Sequence, residues 1–492
     1  MVFSSPIFLF LFLPLLFAVH LAVPRRGRNA VLLAASVIFY AWGERLFFAV
    51  MLASILINWL FGLLIEARPT PATRRAAVVG AVVVNIGLLG FYKYAGFVVD
   101  NLNAVLAPLG VAPFVVDVPH LPLGISFFTF HALSYVVDIY RRDAEAQRNP
   151  IDFALYIAFF PQLVAGPIIR YHDIFRQLTE RRFTLDLAAS GVERFVAGLG
   201  KKAILANPLG EVADGIFGLP IDRLSPEVAW VGVVAYGLQI YLDFSAYSDM
   251  AIGLARMFGF NFLENFDYPY RARSVREFWR RWHISLSNFL RDYLYVPLGG
   301  NRVAEWRVWF NQIFVFFVCG LWHGANWTFV VWGLLHGFYL SLERTAFGRL
   351  LDRAPRVVQH AWVLLAVGVA WVFFRAADLG SALGYLGAMV GLGGRGGEER
   401  EVVERFVDPL VLVVAAIAVP AAAGLFTRVT ADWRARAGQV RGEVHPPIET
   451  VRMAAEVPWV LGLRGVLMIA IALIAFARIA AGTYNPFIYF RF

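Results

Sequence analysis

The chain has 492 residues, of which 59% are hydrophobic and 16% charged, with a mean hydropathy of +0.63 and a formal net charge of +9. So much apolar side chain cannot be hidden in one soluble core, and repeated apolar runs near the ~20 residues that cross a roughly 30 Å hydrocarbon slab predict an all-α polytopic membrane protein. The positive charge sits mainly on arginines between those runs, as in cytoplasmic loops under the positive-inside rule, so membrane lipid is an expected partner and nucleic acid is not. A single cysteine, Cys319, leaves no intrachain disulfide and no Cys-rich metal framework, and does not reveal the compartment.

The first apolar run, 2–23, has no basic segment ahead of it and is followed by Pro24-Arg25-Arg26-Gly27-Arg28, which predicts retention rather than cleavage of a signal peptide. Further runs cover 30–42, 46–65, 76–92, 121–137, 153–169 and 228–247, then 310–318, 328–342, 361–374, 409–425 and 461–481. Several are too short to cross upright. Basic loops 25–28, 68–75 and 141–148 fall on one side if the two runs between the first pair form a hairpin, which puts the N-terminus outside. Pro161, Gly166 and Pro167 interrupt the 153–169 run and predict a broken or re-entrant element, tolerated at membrane depth only where protein or a cavity surrounds it. Residues 391–404 read as an extramembrane loop and 427–456 as a polar surface segment broken at Pro446-Pro447. With no tandem repeat, a single integral domain over 1–492 is the economical organisation.

Three blocks put polar chemistry into apolar surroundings. In 239–259, Gln239, Asp243 and Tyr247 recur at every fourth position, with Ser245, Ser248 and Asp249 beside them. Unpartnered buried carboxylates are costly, so these residues should line an aqueous tunnel or pair with arginines such as Arg256 or Arg273. In 273–295, Arg273, Arg276, Arg280, His283, Ser287 and Arg291 recur at spacings of three or four and predict one helical face, with Phe278, Trp282, Phe289 and Tyr293 largely opposite. Such a helix suits the membrane interface, where its basic face either anchors to anionic headgroups or holds phosphates. An anchor has no need of His283, deeper along the face. In 320–327, His323 and Asn326 stand three residues apart within an apolar run over 310–342, and an ionisable group there is a site hypothesis by default.

Together, GLWHGANW (320–327), FWRRWHISLSNFLRDYLYVPLGG (278–300), YLDFSAYSDMAIGLARMFG (241–259) and FPQLVAGPIIRY (160–171) resemble the membrane-bound O-acyltransferase (MBOAT) family. Within it they look like the bacterial branch that supports O-acetylation of alginate and other exported polysaccharides. The likeness runs from Leu121 onward and takes in 487–492. It implies a ring of about 11 tilted transmembrane helices, with re-entrant and interfacial helices, around a central tunnel, which agrees with the short spans. It also implies that His323 is the catalytic centre and His283 the second position, occupied by histidine or asparagine across the family. A histidine buried in low dielectric stays neutral near pH 7 and can accept a hydroxyl proton. On this reading His323 is the general base that lets an acceptor oxygen attack an acyl thioester, while His283 polarises the carbonyl or holds a reactant. Trp322, Asn326, Asp243, Gln239, Ser245 and Asp249 would line the tunnel. Arg273, Arg276, Arg280 and Arg291 would receive the donor phosphates, most simply those of acetyl-CoA, a substrate rather than a permanently bound cofactor.

Other residues weigh less. His336, thirteen positions past His323, would lie about 20 Å farther along a continuous helix and turned by roughly 220°, so unless the helix breaks near Gly324 it serves structure. Cys319 shares a helical face with His323 but reads as a small buried hydrophobe ahead of an acyl-carrying nucleophile. No zinc-like ligand spacing surrounds them, so no metal is expected. His20, His120, His131, His172, His360 and His445 read as packing or interfacial residues. The tail 485–492 is an aromatic interfacial anchor on the plainest reading. The resemblance adds a sharper one, in which Tyr489 accepts the acetyl group and hands it to a secreted or periplasmic SGNH-type transferase working with polysaccharide-synthesis machinery. The expected activity is therefore that of an inner-membrane O-acetyltransferase moving acetyl from a cytoplasmic thioester toward an exported polysaccharide. A transporter or flippase using the same polar path, direct acylation of a lipid or protein hydroxyl, and a scaffold for a polysaccharide synthase are the alternatives.

Overall fold

The computed structural model describes residues 1–44, 46–68, 70–117, 120–393, 406–425, 458–482 and 484. Among the described residues every regular element is a helix. Five are long and apolar enough to cross a membrane: Phe48–Ala67, Pro71–Leu109, Pro226–Met257, Arg356–Arg375 and Gly462–Ala480. Phe8–Ala22, Trp327–Leu342, Leu379–Met389 and Pro409–Ala422 are apolar but shorter. Contacts divide the chain into two compact units.

The first unit contains Met1–Val192 and Ala251–Leu263. Its Phe48–Ala67 helix packs against Ile125–Arg141 and Pro71–Leu106. Gly62 permits the first contact, because a Cβ there would fall 2.3 Å from the Tyr135 ring. Across the second, Asn58 and Asn85 exchange amide hydrogen bonds of 3.1 and 2.7 Å, which satisfies two buried carboxamides in apolar surroundings. The 153–169 run is broken, as its prolines and glycine predict, into Pro150–Ala158 and Phe160–Leu163. Gly166 turns the chain where a Cβ would sit 2.5 Å from the Pro161 carbonyl oxygen, and the buried Gln162 Nε2 donates to the Tyr156 carbonyl. The irregular backbone from Val164 to Ile169 is buried in protein, the condition for leaving helical geometry in an apolar setting.

The second unit contains Glu193–Met250 and the described residues after Leu263. Its tightest pair is a hairpin of Glu305–His323 and Trp327–Leu342. A Cβ on Gly320 would lie 2.3 Å from the Phe329 oxygen and one on Gly333 2.2 Å from the Phe316 oxygen, so two glycines bring the helices into backbone contact. The gap between the 310–318 and 328–342 runs is therefore a reversal of the chain. Gly324 is extended at φ −164° and ψ 149°, and Asn326 caps the second helix, its Oδ1 accepting from the Thr328 amide at 3.0 Å.

The single basic face expected over 273–295 is also broken. Val275–Arg281 and Ile284–Leu290 are separate seven-residue helices joined by extended Trp282 and by His283 at φ 43° and ψ 54°. That left-handed geometry is uncommon for a residue with a Cβ, and it turns the second helix away from the first. Arg273, Arg276 and Arg280 therefore do not share a face with Ser287 and Arg291.

Candidate active site

His323 ends the Glu305–His323 helix and is buried. Because the chain reverses at Gly324, the Trp332 ring stands 4.9 Å from the imidazole, centroid to centroid, with Trp322 at 4.9 Å and Phe374 at 5.1 Å. His283, fully buried, lies edge-on to Phe244 at 4.7 Å and 6.2 Å from Trp322. Two imidazoles 40 positions apart thus converge on one indole. The reversal also returns His336 to within 4.9 Å of Trp332, where its Nδ1 accepts a 3.2 Å hydrogen bond from the Trp279 indole. The distance expected for a continuous helix does not apply, and the ring is engaged in packing. Asn326 is committed to its cap and to the Ala377 carbonyl, to which its amide donates at 3.0 Å.

His283 is held by Asn265. Its Nδ1 lies 3.1 Å from Asn265 Oδ1, which also accepts from the Ser285 amide at 3.1 Å and the Ser285 hydroxyl at 2.9 Å. The Asn265 carbonyl accepts from the Ile284 amide at 2.9 Å, and its Nδ2 donates to Ser248 Oγ at 3.0 Å. One buried carboxamide residue therefore fixes both the ring and the left-handed backbone that carries it. Strain of this kind persists only where the surroundings over-determine it, and it concentrates at functional sites.

Asp243 and Asp249, on Pro226–Met257, are expected from sequence either to line an aqueous tunnel or to pair with arginines such as Arg256 or Arg273; they meet Lys202, Lys201 and Arg194. Lys202 Nζ is 2.7 Å from Asp243, and both side chains are sealed from solvent. Lys201 Nζ reaches Asp249 at 2.5 Å and Ser245 Oγ at 3.2 Å, while Arg194 bridges Asp249 and Glu264 at 2.6 Å each. The π-helical turn Lys201–Ala206 sends the two successive lysines to two different carboxylates, a distortion typical of functional regions. Gln239, a turn before Asp243, is buried against Gly210, where a Cβ would approach its amide to 2.7 Å.

A half-enclosed, largely apolar cavity of about 380 Å³ borders this network, lined by Lys201, Tyr241, Ser248, Asn265, Tyr268 and Ile471 among others. A second cavity, polar and about 490 Å³, is lined by Tyr270, Arg271, Arg273, Glu277, Arg281 and His360. The two flank one turn: Tyr268 and Ala421 face the first, Arg271 and Ala423 the second. Arg281 is tied to Asp267 at 3.1 Å and Glu277 at 2.8 Å. Burial works against the Glu277 carboxylate, but the Arg273 amide and the Arg281 guanidinium hold its carboxyl below the usual range. The Arg271 and Arg273 side chains make no salt bridge among the described residues, which leaves two guanidiniums to the cavity. Paired planar donors of this type suit a phosphate. Of the four arginines singled out from sequence, only Arg273 lines it; Arg276 and Arg280 are exposed elsewhere, and Arg291 pairs with Asp292 at 2.7 Å.

The sequence reading missed Asn265, Arg194, Lys201, Lys202 and Arg271. The lysine doublet carried a usable signal, two cations beside an apolar stretch, whereas Asn265 carried none because its partners lie up to 20 positions away. Cys319 is fully buried four positions before His323. Tyr489 lies outside the described residues.

Residues 124–376 match the profile of MBOAT, the membrane-bound O-acyltransferase family. The chain is 42% identical to a protein of Azotobacter vinelandii named "Probable alginate O-acetylase AlgI", across 100% of both chains. Identity is 46% to the Pseudomonas aeruginosa protein of the same name, over 80% of this chain and 75% of that one. It is 37% to the "Peptidoglycan O-acetyltransferase" of Helicobacter pylori, over 80% of each. The matched segment holds both converging imidazoles, Asn265 and the buried ion pairs. The chain therefore belongs to the membrane-bound O-acyltransferase family, in its AlgI-like branch, and is a membrane acyltransferase.

Proposed function

We propose that this protein takes acetyl from a cytoplasmic thioester, most simply acetyl-CoA, and passes it toward O-acetylation of an exported polysaccharide such as alginate. The observation that carries the reading is the convergence of His323 and His283 on Trp322, which puts two proton-handling groups in one buried aromatic cluster. The polar cavity supports it as a seat for donor phosphates on Arg271 and Arg273, and the adjoining apolar cavity offers room for the thioester arm beside Asn265. The names of the relatives supply the chemistry of acetyl and of a polymer hydroxyl.

On this reading the enzyme works in the bacterial inner membrane, with a ring of helices around a tunnel that joins the two faces. Tyr489 carries the acetyl group to a secreted or periplasmic SGNH-type transferase of the polysaccharide-synthesis machinery. His323→Ala is expected to lower consumption of acetyl-CoA by the purified protein by at least about 10²-fold, the usual scale of a positioned acid–base group. Mass spectrometry of the polysaccharide should show its acetyl esters lost in a His323→Ala strain, and lost in a Tyr489→Phe strain if the tail is the carrier. Undiminished acetylation in the His323→Ala strain overturns the reading.

A further inference from the structure

Away from the imidazole pair, the Glu343 carboxylate gathers three elements of the second unit. It accepts hydrogen bonds from the Val275 amide at 2.6 Å, the Arg276 amide at 3.1 Å and the Trp362 indole at 3.0 Å. The start of Val275–Arg281, the end of Trp327–Leu342 and the first turns of Arg356–Arg375 are thereby joined. The short helix Ala346–Arg353 folds back onto this junction. Gly348 permits the approach, because a Cβ there would collide with the Glu343 carbonyl oxygen, and Phe347 packs edge-on to Trp362 at 4.9 Å. Its backbone ends are satisfied: the Thr345 hydroxyl accepts from the Phe347 amide at 3.2 Å, and the Gln359 side-chain amide donates to the Leu351 and Ala354 carbonyls at 3.1 Å each. Phe347, Gly348 and Leu351 are thus used inward, and Arg349, Leu350 and Arg353 are exposed. Over 344–356 there are four arginines against one carboxylate, Asp352. Arg344, Arg349, Arg353 and Arg356 are all exposed, and none makes a salt bridge among the described residues. Apolar side chains lie between them, Leu350 at 70% exposed and Val357 at 78%.

We propose that 344–356 is a binding surface for the headgroups of anionic phospholipids. The flanking helices set its depth. On Arg356–Arg375, which is long and apolar enough to cross a membrane, the exposed residues Val357, Ala361, Leu364 and Leu365 fall at helical spacing on one face. Leu334 and Phe338 are exposed at the same spacing on Trp327–Leu342. Stripes of this kind face hydrocarbon, and each runs out at an exposed arginine, Arg356 on one helix and Arg344 beyond the other. The guanidiniums therefore lie at headgroup level, with Leu350 and Val357 on the side of the acyl chains. A guanidinium is always charged and offers paired planar donors that match a phosphate. A zwitterionic headgroup brings its own cation, so a lipid with net negative charge is preferred. A soluble acidic protein fits less well, because the exposed apolar side chains of this surface continue into the hydrocarbon-facing stripes. The surface borders the polar cavity without sharing its arginines: His360, one turn after Arg356, lines that cavity, and its Nδ1 lies 3.0 Å from the Ala272 carbonyl oxygen.

The test uses the full chain in neutral detergent, titrated with phosphatidylglycerol or with phosphatidylcholine of the same acyl chains, reading bound lipid by native mass spectrometry and thermal unfolding alongside. Phosphatidylglycerol should be retained in preference and should raise the melting temperature, and both effects should weaken as ionic strength rises. Combining Arg349→Gln, Arg353→Gln and Arg356→Gln should weaken phosphatidylglycerol binding by at least about tenfold and leave phosphatidylcholine binding unchanged. The charge-matched combination Arg26→Gln, Arg68→Gln and Arg75→Gln, at exposed positions of the first unit, should keep most of the preference. Should the first combination not fold, Arg349→Gln and Arg353→Gln are read singly, each on the exposed face of the short helix. Equal retention of the two lipids, or equal loss of preference in the two combinations, overturns the proposal, the second because it marks a diffuse field in place of a site. Inorganic phosphate or acetyl-CoA that gives the same stabilisation without lipid, lost in the first combination alone, overturns it as well, by making the surface a seat for soluble anions.

Discussion

In the Tyr171–Glu180 helix, His172 Nδ1 lies 2.9 Å from Asp138 Oδ2, an oxygen that also accepts from the His172 backbone amide. Burial disfavours the imidazolium, yet the bond to Asp138 and the nearby Asp173 carboxylate outweigh it and raise the ring above its ordinary value of 6.5. A ring more basic in the folded state contributes stability that is complete below 6.5 and is lost as pH rises through the folded value. His172→Gln should therefore lower the melting temperature more at about pH 6 than at about pH 8.5; an equal loss at both would mean the ring is held neutral. His172 and Asn265 show what a sequence conceals at this scale. His323 and His283 stand out because an ionisable side chain in an apolar run is anomalous by itself. Asn265 is unremarkable until folding sets His283, Ser285 and Ser248 around it.

The hairpin Glu305–His323 and Trp327–Leu342 depends on glycine at its crossing. Gly333→Leu would drive a side chain into the Phe316 carbonyl, so the helices must part and the cage of Trp332 and Phe374 around His323 must open. The expected cost is about 1–3 kcal/mol, with activity falling further than stability, measured as thermal unfolding and thiol release on the same preparation. This break was legible. Gly324 followed by Asn326 is a stop followed by an N-cap, and it falls between the separate apolar runs 310–318 and 328–342. The break at His283 was not, since Arg281, Trp282 and His283 include neither glycine nor proline, and the left-handed turn is imposed by contacts with Asn265. The basic periodicity of 273–295 was real as spacing, but two short helices divide it.

For the molecule as a whole, composition and run length fix the class, and the five long apolar helices with four shorter ones agree with it. Which charges meet could not be read in the same way, because each carboxylate had several cations within reach of a plausible fold. If Arg271 and Arg273 seat donor phosphates, Arg271→Ala and Arg273→Ala should each raise the KM for acetyl-CoA roughly tenfold, the scale of one lost charge-assisted hydrogen bond. The effect should shrink as ionic strength rises, because both side chains are exposed. An unchanged KM in the double variant would move the donor elsewhere. The ion pairs on Pro226–Met257 also bear on how the protein is made. An aspartate at the middle of a nascent helix opposes membrane entry by about 2.5–3.5 kcal/mol, and this helix carries two, while Lys201 and Lys202 leave the ribosome some 40 residues earlier. The stretch 193–250 should then be threaded into the bilayer as a couple, each half neutralising the other at the translocon. The Pro226–Met257 segment alone should insert less completely than its Asp243→Leu, Asp249→Leu version, and the preceding lysines should restore it.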